Sequence, residues 1–244
     1  MAGQSISKTT IYVPNKMIIM QTVDWKSIEK AKALVIGHDP RLQKSDTIAD
    51  YALFANYFFE NKPIIYSELQ KFKLSKSTFD QITEITHGII TPKKIYITNL
   101  CNVPLPHASK GKTVLIPEIE AIKGLENIQN ILKENPTIEY IFPMSLQVNY
   151  WLQRLDFYNS NTDFVKETEP KTKGLECINP YFEPKKTKTF LKICGNQYQS
   201  KNGNQIIIPI LHSKNYPIKG NFSTYQENYK HISNYFKFIK DEDI

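Results

Sequence analysis

The chain of 244 residues has a mass of 28.3 kDa, and 41% of its residues are hydrophobic and 23% are charged. This length suits one domain, the hydrophobic content excludes global disorder, and no apolar run reaches the roughly 18 residues that a membrane span needs. Lysine and arginine total 31 against 24 acidic residues, and the resulting net charge of +7 favours a polyanionic partner such as nucleic acid.

The first half of the chain has helical patterns that alternate with short apolar strands. Residues 25–33 predict a short helix, and residues 33–36 form the continuous apolar run that is typical of a strand buried on both faces. This strand stops at a Gly-His-Asp-Pro turn. The later elements of this half are a predicted helix at 46–60, one or two predicted helices over 67–86 and a predicted strand at 94–98.

The second half continues the same alternation. Apolar residues recur at helical spacing over 117–134, with Pro117 in the first turn. Residues 156–188 are polar and poorly periodic, so we expect an inserted, partly mobile loop there. The remaining predicted elements are strands at 139–142, 189–193 and 205–211, and helices at 145–155 and 223–240.

Strands separated by helices favour βαβ units and a parallel sheet covered on both faces. We therefore expect residues 1–244 to form a single three-layer α/β/α domain around a mostly parallel four-stranded sheet. Ligands of such sheets bind beyond the carboxyl ends of the strands. The segments that follow predicted strands are residues 37–41, 99–102, 143–147 and 212–216.

Three of these segments carry a polar side chain close to the strand end, namely Asp39, Asn99 and His212. A carboxylate, an amide and an imidazole at one sheet edge suit acid–base chemistry and the recognition of a polar, planar ligand. Each residue type also has an ordinary structural role, because Asp before Pro is common in turns and Asn often caps a helix.

Several other classes of site are disfavoured by the sequence. It contains neither a Gly-x-Ser-x-Gly elbow nor a glycine-rich phosphate loop. Cys101, Cys177 and Cys194 cannot all pair and match no zinc or iron–sulfur spacing, so we expect reduced thiols in the cytoplasm. His87 and His107 are isolated in the sequence, and we expect neither a metal site nor a cofactor. The N-terminal residues also lack the apolar core of a secretion signal.

Four segments, in this order, resemble the uracil-DNA glycosylase superfamily. Residues 34–41, Leu-Val-Ile-Gly-His-Asp-Pro-Arg, are similar to the family's water-activating motif. Residues 95–99, Ile-Tyr-Ile-Thr-Asn, are similar to the strand that ends in the Asn that reads the uracil edge. Residues 118–142 supply a helix that runs up to a strand, and residues 208–213, Ile-Pro-Ile-Leu-His-Ser, resemble the histidine loop.

The resemblance implies a DNA-repair hydrolase that cleaves the N-glycosidic bond of a flipped-out uracil or related damaged base. Asp39 would be the catalytic carboxylate, and His212 would hydrogen-bond the departing base. The base-binding residues that it implies are Gly37, His38, Arg41, Tyr51, Phe54 and Asn99, with Phe54 preferred over Tyr51 for stacking. Core packing is the alternative role of both aromatic side chains. The DNA-binding residues that it implies, including the side chain that wedges into the duplex, are Ser213, Lys214, Tyr216, Ile218 and Lys219. The partner would be single- or double-stranded DNA, and we expect a monomer.

The chain also departs from the family's pattern. Arg41 stands where the best-known branch has an aromatic side chain, and Ser213 follows His212 directly where the family usually has His-Pro-Ser. Two alternatives therefore stay open. One is a glycosylase fold with weak or no turnover that binds DNA or nucleotides. The other is a different α/β enzyme that acts on a small nucleoside or nucleotide, with Arg41 holding a phosphate.

Overall fold

The computed structural model describes residues 24–38, 52–59, 69–103, 105, 113–169, 181–182, 187–211 and 223–242. The strands in these ranges are β1 Ala33–Gly37, β2 Ile95–Asn99, β3 Thr113–Val114, β4 Tyr140–Pro143, β5 Tyr181–Phe182, β6 Tyr198–Gln199 and β7 Ile206–Ile207. The α-helices are α1 Asn56–Phe59, α2 Leu69–Ile85, α3 Glu118–Glu134, α4 Leu146–Arg154, α5 Phe164–Thr168, α6 Thr187–Ile193 and α7 Ser223–Glu242. Short 3-10 turns span Ala52–Phe54 and Pro92–Lys94.

The main sheet has five strands in the order β2-β1-β4-β7-β6. The first four strands run parallel, and β6 runs antiparallel to β7 at the far edge. The sheet is therefore mixed, because an antiparallel strand extends the four parallel ones. Since β1 lies between β2 and β4, all of its residues are buried, as the continuous apolar run predicts. Strands β3 and β5 form a separate antiparallel pair.

Helices pack on both faces of this sheet. Leu34 and Ile36 of β1 belong to one hydrophobic cluster, together with buried residues of α3, α4 and α6. Ala33 and Val35 belong to a second cluster, together with buried residues of α2 and α7. Successive side chains of a strand point to opposite faces, so these two clusters lie on opposite sides of the sheet. The structure is thus an α/β fold compatible with the predicted three-layer class.

The long predicted helices are confirmed as α2, α3, α4 and α7. Helix α3 buries Ala121, Ile128 and Ile131 on one side, which follows the helical spacing of its apolar residues. Helix α4 begins after Ser145, whose Oγ accepts a hydrogen bond from the Val148 backbone amide at 3.5 Å. Among the described helices, none is both long and apolar enough to cross a membrane.

The helix predicted at 25–33 is wrong, because this segment pairs with the sheet edge. Trp25 forms an antiparallel bridge with Ile97 of β2, with N···O distances of 2.9 Å in both directions. The backbone amide of Lys32 donates to the carbonyl of Lys94. Ile28 in this segment is 58% exposed. The segment protects the free edge of β2 instead of packing as a helix.

The strand predicted at 189–193 is also wrong, because residues 187–193 form helix α6. Phe190, Leu191 and Ile193 are all buried in the core shared with α3 and α4, and this burial outweighs the strand preference of the local sequence. In the predicted strand 205–211, only β7 is a strand, and Ile210 adds a parallel bridge to Met144. The helix predicted at 46–60 is a 3-10 turn followed by α1 in its described part, 52–59.

Part of the predicted insertion at 156–188 packs against the domain. Tyr158 forms an antiparallel bridge with Ser200, and helix α5 buries Phe164 and Thr168. Strand β5 pairs with β3. The described residues of this region therefore contribute to the core, although their sequence is largely polar.

Candidate functional site at the carboxyl ends of β1 and β2

Gly37 and Asn99 lie side by side at the carboxyl ends of two neighbouring parallel strands. They are register partners and the last residues of β1 and β2. The pairing continues past the strand ends, where the Leu100 amide donates to the Gly37 carbonyl and the Cys101 amide donates to the His38 carbonyl, both at 2.9 Å. This is the edge of the sheet at which we expected a ligand site.

The Asn99 side chain lies against the backbone of Gly37. A Cβ atom built on Gly37 would lie 2.4 Å from Asn99 Oδ1, so only glycine permits this approach. Asn99 is 2% exposed, and its Oδ1 is buried and accepts no hydrogen bond from any described residue. Buried amide oxygens usually have a donor, so this atom can accept a hydrogen bond from a ligand.

Leu53 covers the same position from the other side. Its Cδ2 and Cγ atoms lie 3.1 and 3.3 Å from the Cβ atom built on Gly37. Leu53 belongs to the Ala52–Phe54 turn and has left-handed backbone angles, φ 52° and ψ 21°. Leu53 was not predicted as a site residue, because neither its contact with Gly37 nor its backbone angles leave a signal in the local sequence pattern.

The described residues include only part of the predicted site. Gly37, His38 and Asn99 are described, and His38 is half-buried next to Gly37. Phe54 is described for its backbone alone, so its predicted stacking role stays a prediction. The other predicted site residues lie outside the described ranges, namely Asp39, Arg41, Tyr51, His212, Ser213, Lys214, Tyr216, Ile218 and Lys219.

Asn102 adds a second amide near this edge. It follows Cys101, whose backbone amide is bonded to His38, and its Oδ1 is buried without a hydrogen-bond donor among the described residues. Asn102 falls within the segment 99–102 that follows the second predicted strand, but no sequence signal distinguishes it from its neighbours. Asn99 and Asn102 thus each have a buried amide oxygen that accepts no hydrogen bond from the described residues.

A carboxyl group lies on the opposite face of β2. Asp24 accepts a hydrogen bond from Thr98 Oγ1 at 2.7 Å and longer ones from the Tyr96 hydroxyl and Asn127 Nδ2, at 3.4 and 3.5 Å. Burial raises the pKa of Asp24 above its ordinary value, although these hydrogen bonds oppose the shift. Burial and the neighbouring Asp24 carboxyl together raise the pKa of Tyr96 to about 12. This cluster holds the segment at Asp24 and Trp25 against the sheet.

A closed polar network lies beyond the carboxyl end of β4. Asn149 Nδ2 donates to the carbonyls of Pro143 and Ser145, at 3.2 and 2.7 Å, and Asn149 Oδ1 accepts from the Tyr158 hydroxyl at 2.6 Å. Gln153 Nε2 in turn donates to the same hydroxyl at 3.1 Å. Burial raises the pKa of Tyr158 well above its ordinary value. Both ends of the Asn149 amide are thus satisfied within the protein.

A surface groove of about 430 Å³ lies over α4, α5 and the segment between them. Its lining mixes cations and carboxylates, among them Arg154, Lys166, Asp163 and Glu169, and it is separate from the ends of β1 and β2. No group of three or more His, Cys, Asp or Glu side chains within the described ranges could hold a metal ion. Cys101 and Cys194 are buried thiols, and Cys177 lies outside the described residues.

A scan against protein-family models finds no match for this chain, and a search of the curated proteins finds no significant match.

Proposed function

We propose that this chain is a DNA glycosylase that hydrolyses the N-glycosidic bond of a flipped-out uracil or related damaged base. The observation that carries the proposal is the position of Asn99 Oδ1, which is buried against Gly37 at the carboxyl ends of β1 and β2 without a donor among the described residues. An Asn side chain offers one acceptor and one donor group, and the imide edge of uracil offers the complementary pair. The amide oxygen would accept from the imide N–H.

The proposed reaction uses two further residues of the resemblance. Asp39 follows Gly37 and His38 in the chain, and as a carboxylate it would orient the attacking water and stabilise the positive charge that develops on the sugar. His212 would donate a hydrogen bond to the base oxygen on which negative charge develops as the bond breaks. The glycosidic bond is inaccessible within a duplex, so the base must leave the stack first.

Charge supports DNA as the polymer that carries the base. The net charge of +7 favours binding to phosphates, and Lys214 and Lys219, which follow His212 in the chain, would neutralise phosphates. Ser213 would contact the backbone, and Tyr216 or Ile218 would fill the gap that the flipped base leaves. Binding of this kind weakens steeply as the salt concentration rises.

The test is a base-release assay on the purified chain with uracil-containing single- and double-stranded oligonucleotides. We expect the wild type to leave abasic sites. Asp39→Asn should abolish base release, and Asn99→Ala should reduce it by roughly 100-fold or more because a hydrogen bond to the departing base is lost. Asp80→Asn is the matched control, since Asp80 is an exposed carboxyl on α2. A wild type that releases no base from either substrate would refute turnover on uracil.

One observation favours a second candidate, a glycosylase fold that binds DNA or nucleotides without turnover. Asn99 is 2% exposed and Leu53 lies beside it, so the described part of the site is covered. A protein of this kind would bind single-stranded DNA in a salt-sensitive manner, and it would yield no abasic product. Binding measured by fluorescence anisotropy alongside base release separates the two candidates.

A further inference from the structure

Leu53 has a backbone conformation that is unusual for its side chain. Its φ of 52° and ψ of 21° lie in the left-handed region, where leucine is rare and strained because its Cβ crowds the backbone. Such a conformation persists only where its surroundings hold it, and such outliers cluster at ligand sites and switches. The contacts of Leu53 therefore show which parts of the fold hold it in this strained conformation.

The backbone of Leu53 is anchored to helix α2. Ser75 Oγ donates a hydrogen bond to the Leu53 carbonyl at 2.7 Å, and Ser75 is 1% exposed. Ala52 and Ala55, on either side of Leu53, are buried in the core between the sheet and α2. Leu53 itself remains partly exposed. The turn is thus held at its ends, and the partly exposed leucine side chain lies beside Gly37 at the end of β1.

The Leu53 side chain and the Asn99 amide converge on one point above Gly37. The Cβ atom built on Gly37 lies 2.4 Å from Asn99 Oδ1 and 3.1 Å from Leu53 Cδ2. An isobutyl group offers no hydrogen bond to the amide oxygen, and it occupies space next to the same Cβ position of Gly37. A buried acceptor next to an apolar group is unfavourable, and none of the described residues donates a hydrogen bond to Asn99 Oδ1.

We propose that Leu53 is a gate over Asn99, and that its side chain must move aside before any ligand reaches the amide. The strained backbone raises the energy of the closed state and so lowers the free energy needed for opening. The identity of the ligand rests on the proposed function, in which a flat base with an N–H donor enters between Leu53 and Asn99. The gate proposal does not depend on the ligand, because it states only that Leu53 limits access to the side chain at position 99.

The test measures this access without a ligand. Asn99→Cys supplies a reporter thiol in a Cys177→Ser background, and its alkylation by iodoacetamide is followed by peptide mass mapping. With Leu53 present, we expect slow labelling. Adding Leu53→Ala should raise the labelling rate at position 99 by about tenfold or more, because the covering group is removed and local opening is no longer needed. The matched control is Cys194, which is buried away from the site and whose labelling should not change.

Equal labelling rates at position 99 with and without the Leu53→Ala substitution would overturn the gate. If Leu53→Ala raises the labelling of Cys194 as well, the variant has lost its fold. The decision then rests on Ser75→Ala, which removes the anchoring hydrogen bond and should raise the rate at position 99 alone. Base release is measured separately on the chain with Asn99 intact. Loss of the labelling difference refutes the gate, whereas loss of base release refutes the proposed function.

Discussion

Two buried asparagines at the carboxyl ends of the parallel strands differ in the hydrogen bonds that their amide oxygens accept from the described residues. Asn99 ends β2 and is 2% exposed, whereas Asn149 lies in α4, directly after β4, and is 0% exposed. The Asn149 amide donates to two backbone carbonyls and accepts from Tyr158. The Asn99 amide oxygen accepts no hydrogen bond from the described residues.

We expect this difference to separate a structural role of Asn149 from the recognition role that we propose for Asn99. A satisfied buried amide stabilises the fold and has no capacity left for a ligand. A buried amide oxygen without a donor among the described residues gains no stability from them, and it can accept a hydrogen bond from a ligand. Substitution at the two positions should therefore affect different properties, namely stability at Asn149 and binding at Asn99.

The largest effect on stability is expected for Asn149→Ala. The substitution removes three side-chain hydrogen bonds, two to the carbonyls of Pro143 and Ser145 and one from the Tyr158 hydroxyl, so we expect a loss of about 3 kcal/mol in the free energy of unfolding. Urea denaturation of the full chain measures this loss. Asn130→Ala is the matched control, because Asn130 is exposed on α3 and alanine favours helices. A similar stability for both variants would mean that the network does not support the fold.

A smaller effect on stability is expected for Asn99→Ala. The substitution removes an amide oxygen that makes no hydrogen bond with the described residues, so the free energy of unfolding should fall by less than about 1 kcal/mol. The same urea experiment measures it, with Asn149→Ala as the reference. A loss as large as that of Asn149→Ala would show that Asn99 is a structural residue, and it would remove the distinction between the two amides.

The elements whose burial follows directly from local pattern could be predicted from the sequence. The apolar run at 33–36 predicts β1 because a strand between two parallel neighbours is buried on both faces. The recurrence of apolar residues over 117–134 predicts α3 because one face of that helix packs on the sheet. The proximity of Gly37 and Asn99 was also predictable, since parallel strands align their carboxyl ends.

Features that depend on tertiary contacts could not be predicted. Residues 189–193 resemble a strand, yet they form part of α6 because the core around Phe190 selects a helix. Leu53 lies within a stretch that predicts one continuous helix, but its backbone is left-handed and its carbonyl accepts a hydrogen bond from Ser75, which is distant in the sequence. The convergence of Asp39 and His212 with Asn99 stays a prediction, because both residues lie outside the described ranges.

The smallest effect is expected for Asp24, which lies on the other face of β2. Because its carboxyl group titrates, the pH dependence of stability tests whether the fold satisfies this buried polar group. Burial raises the pKa of Asp24 above 3.8, so the folded state favours the protonated carboxyl. The stability that the protonated carboxyl contributes is fully present below pH 3.8, and it is lost as the pH rises through the raised pKa of Asp24. The amide introduced by Asp24→Asn stays neutral at every pH, so the stability of the wild type relative to this variant should fall over this window and then remain constant.

Urea midpoints of both proteins from acidic to neutral pH measure this difference, with Asp80→Asn as the control for removing an exposed carboxylate. If the stability of the wild type relative to Asp24→Asn increases with pH, the pKa of Asp24 is lowered in the folded state and not raised. It would mean that the hydrogen bonds from Thr98, Asn127 and Tyr96 stabilise the ionised carboxylate by more than burial opposes it. Asp24 would then resemble Asn149, as a polar group whose partners in the fold satisfy it, and burial alone would not identify unsatisfied groups in this sheet.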